Sequence, residues 1–259
     1  MNVPQTDKVL VEKDGPVTII TINRPHVRNA LDNETATALT MAFRAFDSDD
    51  AARVAILTGA GGTFCAGADL KALAGGQDYE PWAGHPDGPC HDLLSKPMIA
   101  AVAGYACAGG LGIALRCDLR VAEDGATFAV LSRRWGVPMS DGTTVQLPRI
   151  VGLGRALDML LTARHVGAAE AVAMGLADRL APAGKALEVA KELAHQIAAF
   201  PQIAMRSDRM STIRQFDLPR ADAIRQEMEL AAEARRIEAQ AGAARFAGGA
   251  GRHGKVGEN

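Results

Sequence analysis

Two glycine-rich segments carry the residues best suited to chemistry in this sequence, and each follows a short apolar run. The first reads GAGGTFCAGADLK over residues 59–71, and the second reads GYACAGGLGIALRCD over residues 104–118. Small residues let the backbone approach a ligand, and N–H groups at a helix start carry partial positive charge. If the two turns converge, they supply two backbone donors to one developing oxyanion. The alternative is that these glycines only permit close packing between a helix and a sheet.

Several other catalytic motifs are incomplete. A P-loop-like stretch, GAGRHGKV at residues 249–256, has Val256 where the magnesium-binding Ser or Thr would stand. The six histidines form no H-x-x-x-H pair, and there is no G-x-S-x-G elbow. The four cysteines lack zinc-site spacing and are predicted to be reduced thiols that pack as small apolar residues. We therefore expect no metal site.

The elements that must position the two turns alternate between apolar runs and helical patterns. Four runs predict strands buried on both faces: residues 17–23, 54–59, 98–104 and 119–122. Helical patterns between most of them predict an α/β arrangement with βαβ-type crossovers. Residues 219–246 carry one long helical pattern with a thin apolar stripe. This helix is predicted either to cover the core or another subunit, or to pack within its own chain.

Charge and hydropathy exclude other classes. The chain of 259 residues has 28 Lys and Arg against 30 Asp and Glu, a net charge of −2, which gives no electrostatic basis for binding nucleic acid. No apolar stretch approaches the roughly 20 residues of a spanning helix, and the first residues lack a signal-peptide core. We therefore expect a cytoplasmic protein that binds neither nucleic acid nor membranes.

Five motifs occur in an order that is specific. They are NRP at 23–25 with NAL at 29–31, FCAGADLK at 64–71, KP at 96–97 with the small-residue run 100–110, CD at 117–118, and LPRIVG at 147–152. Together, from about residue 8 to the tail, they resemble the crotonase superfamily, the enoyl-CoA hydratase/isomerase family. The resemblance implies a spiral core of ββα units, a helical C-terminal region, and assembly as a homotrimer or a dimer of trimers. We assign residues 1–195 to the core with the acyl-CoA site, and residues 196–259 to a helical lid and oligomerisation region that ends in a mobile tail from Gly248.

The resemblance also implies an acyl-CoA thioester substrate whose carbonyl oxygen becomes an enolate. The matching backbone N–H donors are those of Ala68 and Gly109, which raises the oxyanion-hole interpretation above the packing one. The residues that match CoA contacts are Val27, Arg28, Ala66, Asp69, Leu70, Lys71, Arg245 and Phe246. Because CoA is part of the substrate, no separate cofactor is expected.

The acid–base residues depart from the pattern of the hydratases. The positions of the two hydratase glutamates hold Gly112 and Ser132, neither of which can act as an acid or base near neutral pH. Asp141 lies nearby, one residue from the place where other branches carry a carboxylate. It is predicted to be either the catalytic base or nucleophile, or an Asp that hydrogen-bonds its own turn. The nominal activity is enoyl-CoA hydratase/isomerase; the alternatives are an isomerase, hydrolase or decarboxylase using Asp141, or a non-catalytic acyl-CoA binding protein.

A segment rich in Gly and Pro, residues 75–91, lies between the two turns. It is predicted to be a mobile loop that shapes the acyl pocket. Tyr79 and Trp82 are then the acyl contacts, unless they pack the loop onto the core.

Overall fold

The computed structural model describes residues 6–76 and 82–249. The chain divides into two compact units, Met1–Ala198 and Ala199–Asn259. The sequence-based boundary after residue 195 falls inside the helix that ends the first unit, Ala186–Ala199.

The strands of the first unit form two sheets. In chain order the described strands are β1 (Val9–Asp14), β2 (Val17–Ile22), β3 (Val54–Gly59), β4 (Met98–Val102), β5 (Tyr105–Cys107), β6 (Leu119–Glu123), β7 (Thr127–Ala129), β8 (Val166–Gly167) and β9 (Arg179–Ala181). The larger sheet has the order β1-β2-β3-β4-β6-β9, and the smaller has the order β5-β7-β8. In the larger sheet β1 is antiparallel to β2, and all other pairs are parallel. The four strands predicted from apolar runs are β2, β3, β4 and β6.

Helices lie between most of the strands in chain order. In the first unit they are α1 (Asn33–Ser48), α2 (Leu70–Ala74), α3 (Gly109–Arg116), α4 (Thr143–Val151), α5 (Leu153–Thr162), α6 (Ala168–Ala173) and α7 (Ala186–Ala199). Strand β4 of the larger sheet leads into β5 of the smaller sheet and then α3, and β6 leads into β7 and then α4. This repeat of two strands and a helix is the crotonase-like ββα core expected from the sequence.

The larger sheet is covered on both faces, as the continuous apolar strands predict. Val17 and Ile19 belong to one core cluster and Ile20 and Ile22 to another, because alternate residues of a strand face opposite sides. The first cluster is completed by a stripe of small residues at a spacing of four on α7: Ala186, Ala190, Ala194 and Ala198. Methyl groups at that spacing let the helix lie close to the sheet. Much of the alanine therefore serves packing rather than chemistry.

The second unit is helical. It contains α8 (Gln202–Arg214), α9 (Arg220–Ala234), a π-helical segment (Arg235–Ala239) and α10 (Gln240–Ala247). The last three are continuous, in agreement with the long helical pattern at 219–246. The Glu238 carboxylate accepts hydrogen bonds from the N–H groups of Ile203 and Ala204 at 3.1 and 2.8 Å, which satisfies the start of α8.

Two further expectations concern the C-terminal region and membranes. Of the predicted mobile tail, Gly248 and Gly249 belong to the described residues, and the rest lies outside them. In the described part of the chain, no helix is both long and apolar enough to cross a membrane. The roles of the second unit as a lid and as an oligomerisation region stay predictions.

Candidate active site

The first glycine-rich turn is held by backbone hydrogen bonds to the NAL motif. The N–H of Leu31 donates to the Gly67 carbonyl, and the N–H of Asp69 donates to the Leu31 carbonyl, both at 2.8 Å. Leu31 thus bonds the two residues that flank Ala68 in a parallel bridge. In such a bridge the middle residue's own N–H and carbonyl point away from its partner. The Ala68 N–H is therefore turned away from Leu31.

The second turn brings the start of α3 against the first. Gly109 is the first residue of α3, and the first N–H groups of a helix have no partner inside it. A Cβ built on Gly67, whose φ is +99°, would lie 2.9 Å from the Gly109 nitrogen, so the two turns are in contact. Among the described residues, neither the Ala68 N–H nor the Gly109 N–H donates a hydrogen bond.

A cavity of about 170 Å³ opens at the point where the two turns meet. Its lining residues are Ala66, Ala68, Leu70, Ala108, Gly109, Leu131, Ser132, Trp135, Val137, Pro138, Met139 and Asp141. The cavity thus brings together both predicted oxyanion donors and the predicted acid–base residue. Most of its remaining wall is apolar, and none of these lining residues is a cation.

Asp141 lies on the loop before α4 and is only 5 % exposed. Its Oδ1 accepts a hydrogen bond from the Thr143 N–H at 3.0 Å, which is the turn-forming bond that the sequence allows. Its Oδ2 faces α3: a Cβ built on Gly112 would lie 2.2 Å from that oxygen. Burial raises the pKa of Asp141 above its ordinary value of 3.8, because the carboxylate loses water. The turn-forming hydrogen bond of Asp141 is thus present on Oδ1, and its catalytic role stays a prediction.

Ser132, at the second glutamate position, also lines the cavity. It belongs to a 3₁₀ turn, Leu131–Trp135, and is 7 % exposed. Its hydroxyl donates to the Met139 sulfur at 3.2 Å, a weak acceptor. Gly112 and Ser132 thus leave Asp141 as the carboxylate that lines this cavity.

Trp82 packs against the second turn rather than lining the cavity. It is 4 % exposed, and a Cβ built on Gly109 would lie 2.3 Å from its ring. The next residue, Ala83, donates its N–H to the Ser140 carbonyl at 3.1 Å, which ties this segment to the Asp141 loop. Trp82 therefore packs its segment onto the core and is not an acyl contact in this cavity; Tyr79 lies outside the described residues.

Only some of the residues matched to CoA contacts line the cavity. In the first unit Ala66 and Leu70 line the cavity. The others of that unit are not among its lining residues: Val27, Arg28, Asp69 and Lys71. Arg245 and Phe246 lie in α10 of the second unit. Their contacts with CoA stay predictions.

The sequence patterns did not indicate every residue of the site. The unpredicted lining residues are Ala108, Leu131, Trp135, Val137, Pro138 and Met139. Five of these six residues lie within positions 131–139, just before Asp141 in the chain. Their closeness in sequence to the candidate carboxylate is the signal that could have indicated them. The cysteines behave as predicted: all four are free, and burial raises the pKa of Cys65 and Cys107 to about 12, so both thiols are neutral.

The fold and the paired turns define a class of protein, the acyl-CoA enzymes built on the crotonase fold, and comparison with known families agrees. Residues 12–248 match the family model described as Enoyl-CoA hydratase/isomerase. The chain belongs to the enoyl-CoA hydratase/isomerase family.

Individual relatives carry names within that family. The chain is 41 % identical over 205 residues to enoyl-CoA hydratase EchA19 of Mycobacterium tuberculosis, covering 76 % of this chain and 77 % of the relative. It is 37 % identical over 207 residues to carnitinyl-CoA dehydratase of Salmonella arizonae, covering 77 % and 78 %. The crystal structure of enoyl-CoA hydratase EchA1 from Mycobacterium marinum superposes with a TM-score of 0.88 at 35 % identity, covering 94 % of this chain and 96 % of that one.

Proposed function

We propose that this protein is an enoyl-CoA isomerase in which Asp141 moves one proton between two carbons of the acyl chain. The observation that carries the proposal is the position of the Asp141 carboxylate. Its Oδ2 lies 2.2 Å from the point where a side chain of residue 112 would begin, and Asp141 lines the same cavity as Ala68 and Gly109. The carboxylate absent from α3 is thus replaced in space by one from the facing loop.

The two backbone donors support the first half of this reaction. The thioester carbonyl oxygen accepts hydrogen bonds from the N–H groups of Ala68 and Gly109. These donors are fixed by their turns before the substrate binds, so they need no reorganisation when negative charge develops on that oxygen. Polarisation of the carbonyl makes the α-proton acidic without a metal.

Asp141 completes the reaction as base and then acid. With a 3-enoyl-CoA, the Asp141 carboxylate takes a proton from the α-carbon, and the electron pair moves into a dienolate whose charge rests on the thioester oxygen. The protonated Asp141 then returns the proton to the γ-carbon, and the double bond moves from the β,γ to the α,β position. No water, redox partner or leaving group is needed. The raised pKa of Asp141 suits a group that both takes and returns a proton.

Hydration fits this site less well. It requires one group to hold and deprotonate water and another to deliver a proton to the α-carbon. The two family positions for these groups hold Gly112 and Ser132, and the Ser132 hydroxyl is directed to the Met139 sulfur. A single carboxylate favours the proton shift, which needs one group acting twice.

Decarboxylation and binding without turnover are also disfavoured by the cavity. Decarboxylation of an acyl group that carries a carboxylate would place a second negative charge beside Asp141, and no cation is among the lining residues. A protein that only binds acyl-CoA has no use for a buried carboxylate, whose burial costs free energy. Perturbed carboxylates of this kind concentrate at reactive sites.

The test uses trans-3-hexenoyl-CoA and crotonyl-CoA with the wild-type protein, the Asp141→Asn variant and the Ser132→Ala variant. We expect the wild type to isomerise the first substrate faster than it hydrates the second. Loss of the acid–base group should lower kcat for isomerisation about 1,000-fold in Asp141→Asn and leave CoA-ester binding within a few-fold. Ser132→Ala, the matched change of a second polar cavity residue, should keep kcat within about threefold because its hydroxyl takes no part in the proton shift.

Three outcomes contradict the proposal. Turnover that survives in Asp141→Asn removes Asp141 from the chemistry. Faster hydration than isomerisation assigns the protein to the hydratases. Tight binding of both CoA esters without turnover of either indicates a binding protein.

A further inference from the structure

We propose that Arg24 and Asp69 are positioning residues for the oxyanion donor Ala68, an inference that rests on the proposed oxyanion role of that N–H. Asp69 directly follows Ala68 in the chain, and its side chain is 12 % exposed. The side chain of Arg24, 11 % exposed, reaches it from the NRP motif. The ion pair thus connects the first motif of the sequence to the first oxyanion turn.

The two oxygens of Asp69 have separate partners. Its Oδ1 accepts from the N–H groups of Lys71 and Ala72 at 3.1 and 3.3 Å and so caps α2. Its Oδ2 accepts from Arg24 Nη2 at 3.1 Å. The cap holds the residue after the turn to the helix, and the ion pair holds it to the rest of the core. Each oxygen therefore has a role that a substitution can remove separately.

Arg24 is itself fixed from several directions. Its Nη2 also lies 3.1 Å from Asp32 Oδ2, and its Nη1 donates to the carbonyl of Ala30. Its backbone N–H donates to the side chain of Asn29 at 2.8 Å. Burial opposes the charge on Asp32, but hydrogen bonds from Lys8 and Thr35 outweigh it, and the pKa of Asp32 falls to about 2. Asp32 therefore stays ionised at neutral pH and keeps the Arg24 guanidinium in place.

The Asp69 contacts fix the peptide between Ala68 and Asp69. That peptide is held by the Asp69 N–H bond to the Leu31 carbonyl, and the side chain of Asp69 is held by Arg24. The peptide between Gly67 and Ala68, which carries the donor N–H, is held at its carbonyl by the Leu31 N–H. Because the peptides on both sides of Ala68 are held, its N–H has little freedom to rotate. A displaced donor loses most of its value, because an oxyanion hole depends on donors already in place. The side chains of Arg24 and Asp69 thus act on the reaction by holding the Ala68 N–H in place.

The variant Asp69→Asn separates positioning from capping. Asn is as good an N-cap as Asp, so its side-chain oxygen keeps the bonds to the start of α2. The NH₂ group of Asn and the Arg24 guanidinium are both hydrogen-bond donors, so they cannot bond to each other and the pair is broken. Arg24 retains Asp32 as an ionic partner, so a charge is not left buried alone.

The matched control is Asp178→Asn. Asp178 Oδ2 pairs with Arg120 Nη2 at 3.1 Å, the same distance as the Arg24 pair, and the Arg120 side chain is 5 % exposed. Neither residue lines the cavity. The control therefore removes a comparable Arg–Asp pair of the core away from the two turns.

The experiment measures polarisation of the thioester carbonyl directly. The probe is 2,4-hexadienoyl-CoA labelled with ¹³C at the carbonyl carbon, bound at saturation to proteins that also carry Asp141→Asn to prevent turnover. We expect a downfield carbonyl shift in the Asp141→Asn parent, the same shift with Asp178→Asn added, and less than half of it with Asp69→Asn added. In the background with Asp141 intact, Asp69→Asn should lower kcat for isomerisation about tenfold with KM within twofold.

The outcomes separate the two proposals. If the bound probe shows no downfield shift in the parent, the oxyanion role of Ala68 and Gly109 is wrong, and with it the proposed function. If the parent shows the shift and Asp69→Asn retains it in full, only the positioning role is wrong. An equal loss in Asp178→Asn and Asp69→Asn would assign the effect to general destabilisation and overturn the positioning role as well.

Discussion

The turn that carries Ala68 and the loop that carries Asp141 each contain an aspartate with little exposed surface, but the surroundings of the two side chains differ. Asp69 has a cation on one oxygen and two helix N–H groups on the other. Asp141 has a backbone N–H on one oxygen, and its other oxygen faces the bare Cα of Gly112. Both oxygens of Asp69 accept hydrogen bonds from within the protein, whereas burial removes water from the Asp141 carboxylate and raises its pKa.

The difference separates a carboxylate that shapes a site from one that can react in it. The two oxygens of Asp69 are engaged within the protein, and Asp69 does not line the cavity. A carboxylate that has a raised pKa and lines a cavity can take a proton and return it. Low exposure of an aspartate therefore does not by itself indicate its role.

After the loss of the Asp141 carboxylate itself, the largest expected effect comes from closing the space that this carboxylate occupies. In Gly112→Ala the new methyl group would lie 2.2 Å from Asp141 Oδ2, so the carboxylate must move by about 1 Å. We expect kcat for isomerisation to fall about 100-fold, because displacement of a reacting group by that distance has this effect. Steady-state kinetics with trans-3-hexenoyl-CoA measure it.

Gly154→Ala is the matched control, since a methyl group there meets nothing within 4 Å in α5. It should leave kcat unchanged and stabilise the protein by about 0.5–1 kcal/mol through helix propensity. Full activity in Gly112→Ala would show that the position of Asp141 does not limit the reaction.

The pH dependence of the reaction should report Asp141 and not the paired carboxylates. As the base, Asp141 must be ionised, so kcat/KM falls as the pH drops through its pKa, which burial raises above 3.8. We expect the acid limb of the kcat/KM profile to have its midpoint above that value and to drop about tenfold per pH unit below it. Asp69→Asn should lower the whole profile without moving this midpoint, and a shift of the midpoint in that variant would contradict the assignment.

The smallest expected effect concerns stability, where the two aspartates should respond with opposite signs. The raised folded-state pKa of Asp141 means that its ionised form opposes folding at pH 7, so Asp141→Asn should raise Tm. Asp69→Asn removes a charged hydrogen bond and should lower Tm by about 2–4 °C, equivalent to about 1 kcal/mol in a chain of this length. Thermal unfolding at pH 7 measures both, and a fall in Tm for both variants would mean that Asp141 is a structural carboxylate too.

Local patterns predicted those helices and strands that a single short stretch of sequence encodes. The run VAILTG predicted β3, and Asp32, a residue type favoured at helix N-caps, is the N-cap of α1. Strands that depend on a distant partner escaped prediction: β5 and β7 are three residues long and exist because they pair with each other. Strand β9 is also three residues long, and it pairs with β6, whose sequence lies more than 50 residues earlier.

The residues of the candidate site also divide into those that a local pattern indicates and those that it does not. The glycine-rich turns indicated either a pair of backbone donors or close packing, because backbone permissiveness and position after a strand are local properties. The family resemblance then matched the donors to Ala68 and Gly109. The role of Asp141 stayed open at the level of sequence, because counting along the chain placed it one residue from the family position. Its relation to Gly112 depends on the path of a loop more than 25 residues further on, which no local pattern encodes.

The sequence by itself determined the family, the chain order of the elements and the types of residue at each motif, because each depends on residues close together in the chain. Only the tertiary structure decided which side chains share a space. It placed the Asp141 carboxylate against Gly112, and it set the Arg24 guanidinium on Asp69. The physical reason is that burial and charge pairing are properties of neighbours in space, and folding brings these neighbours together from separate segments of the chain.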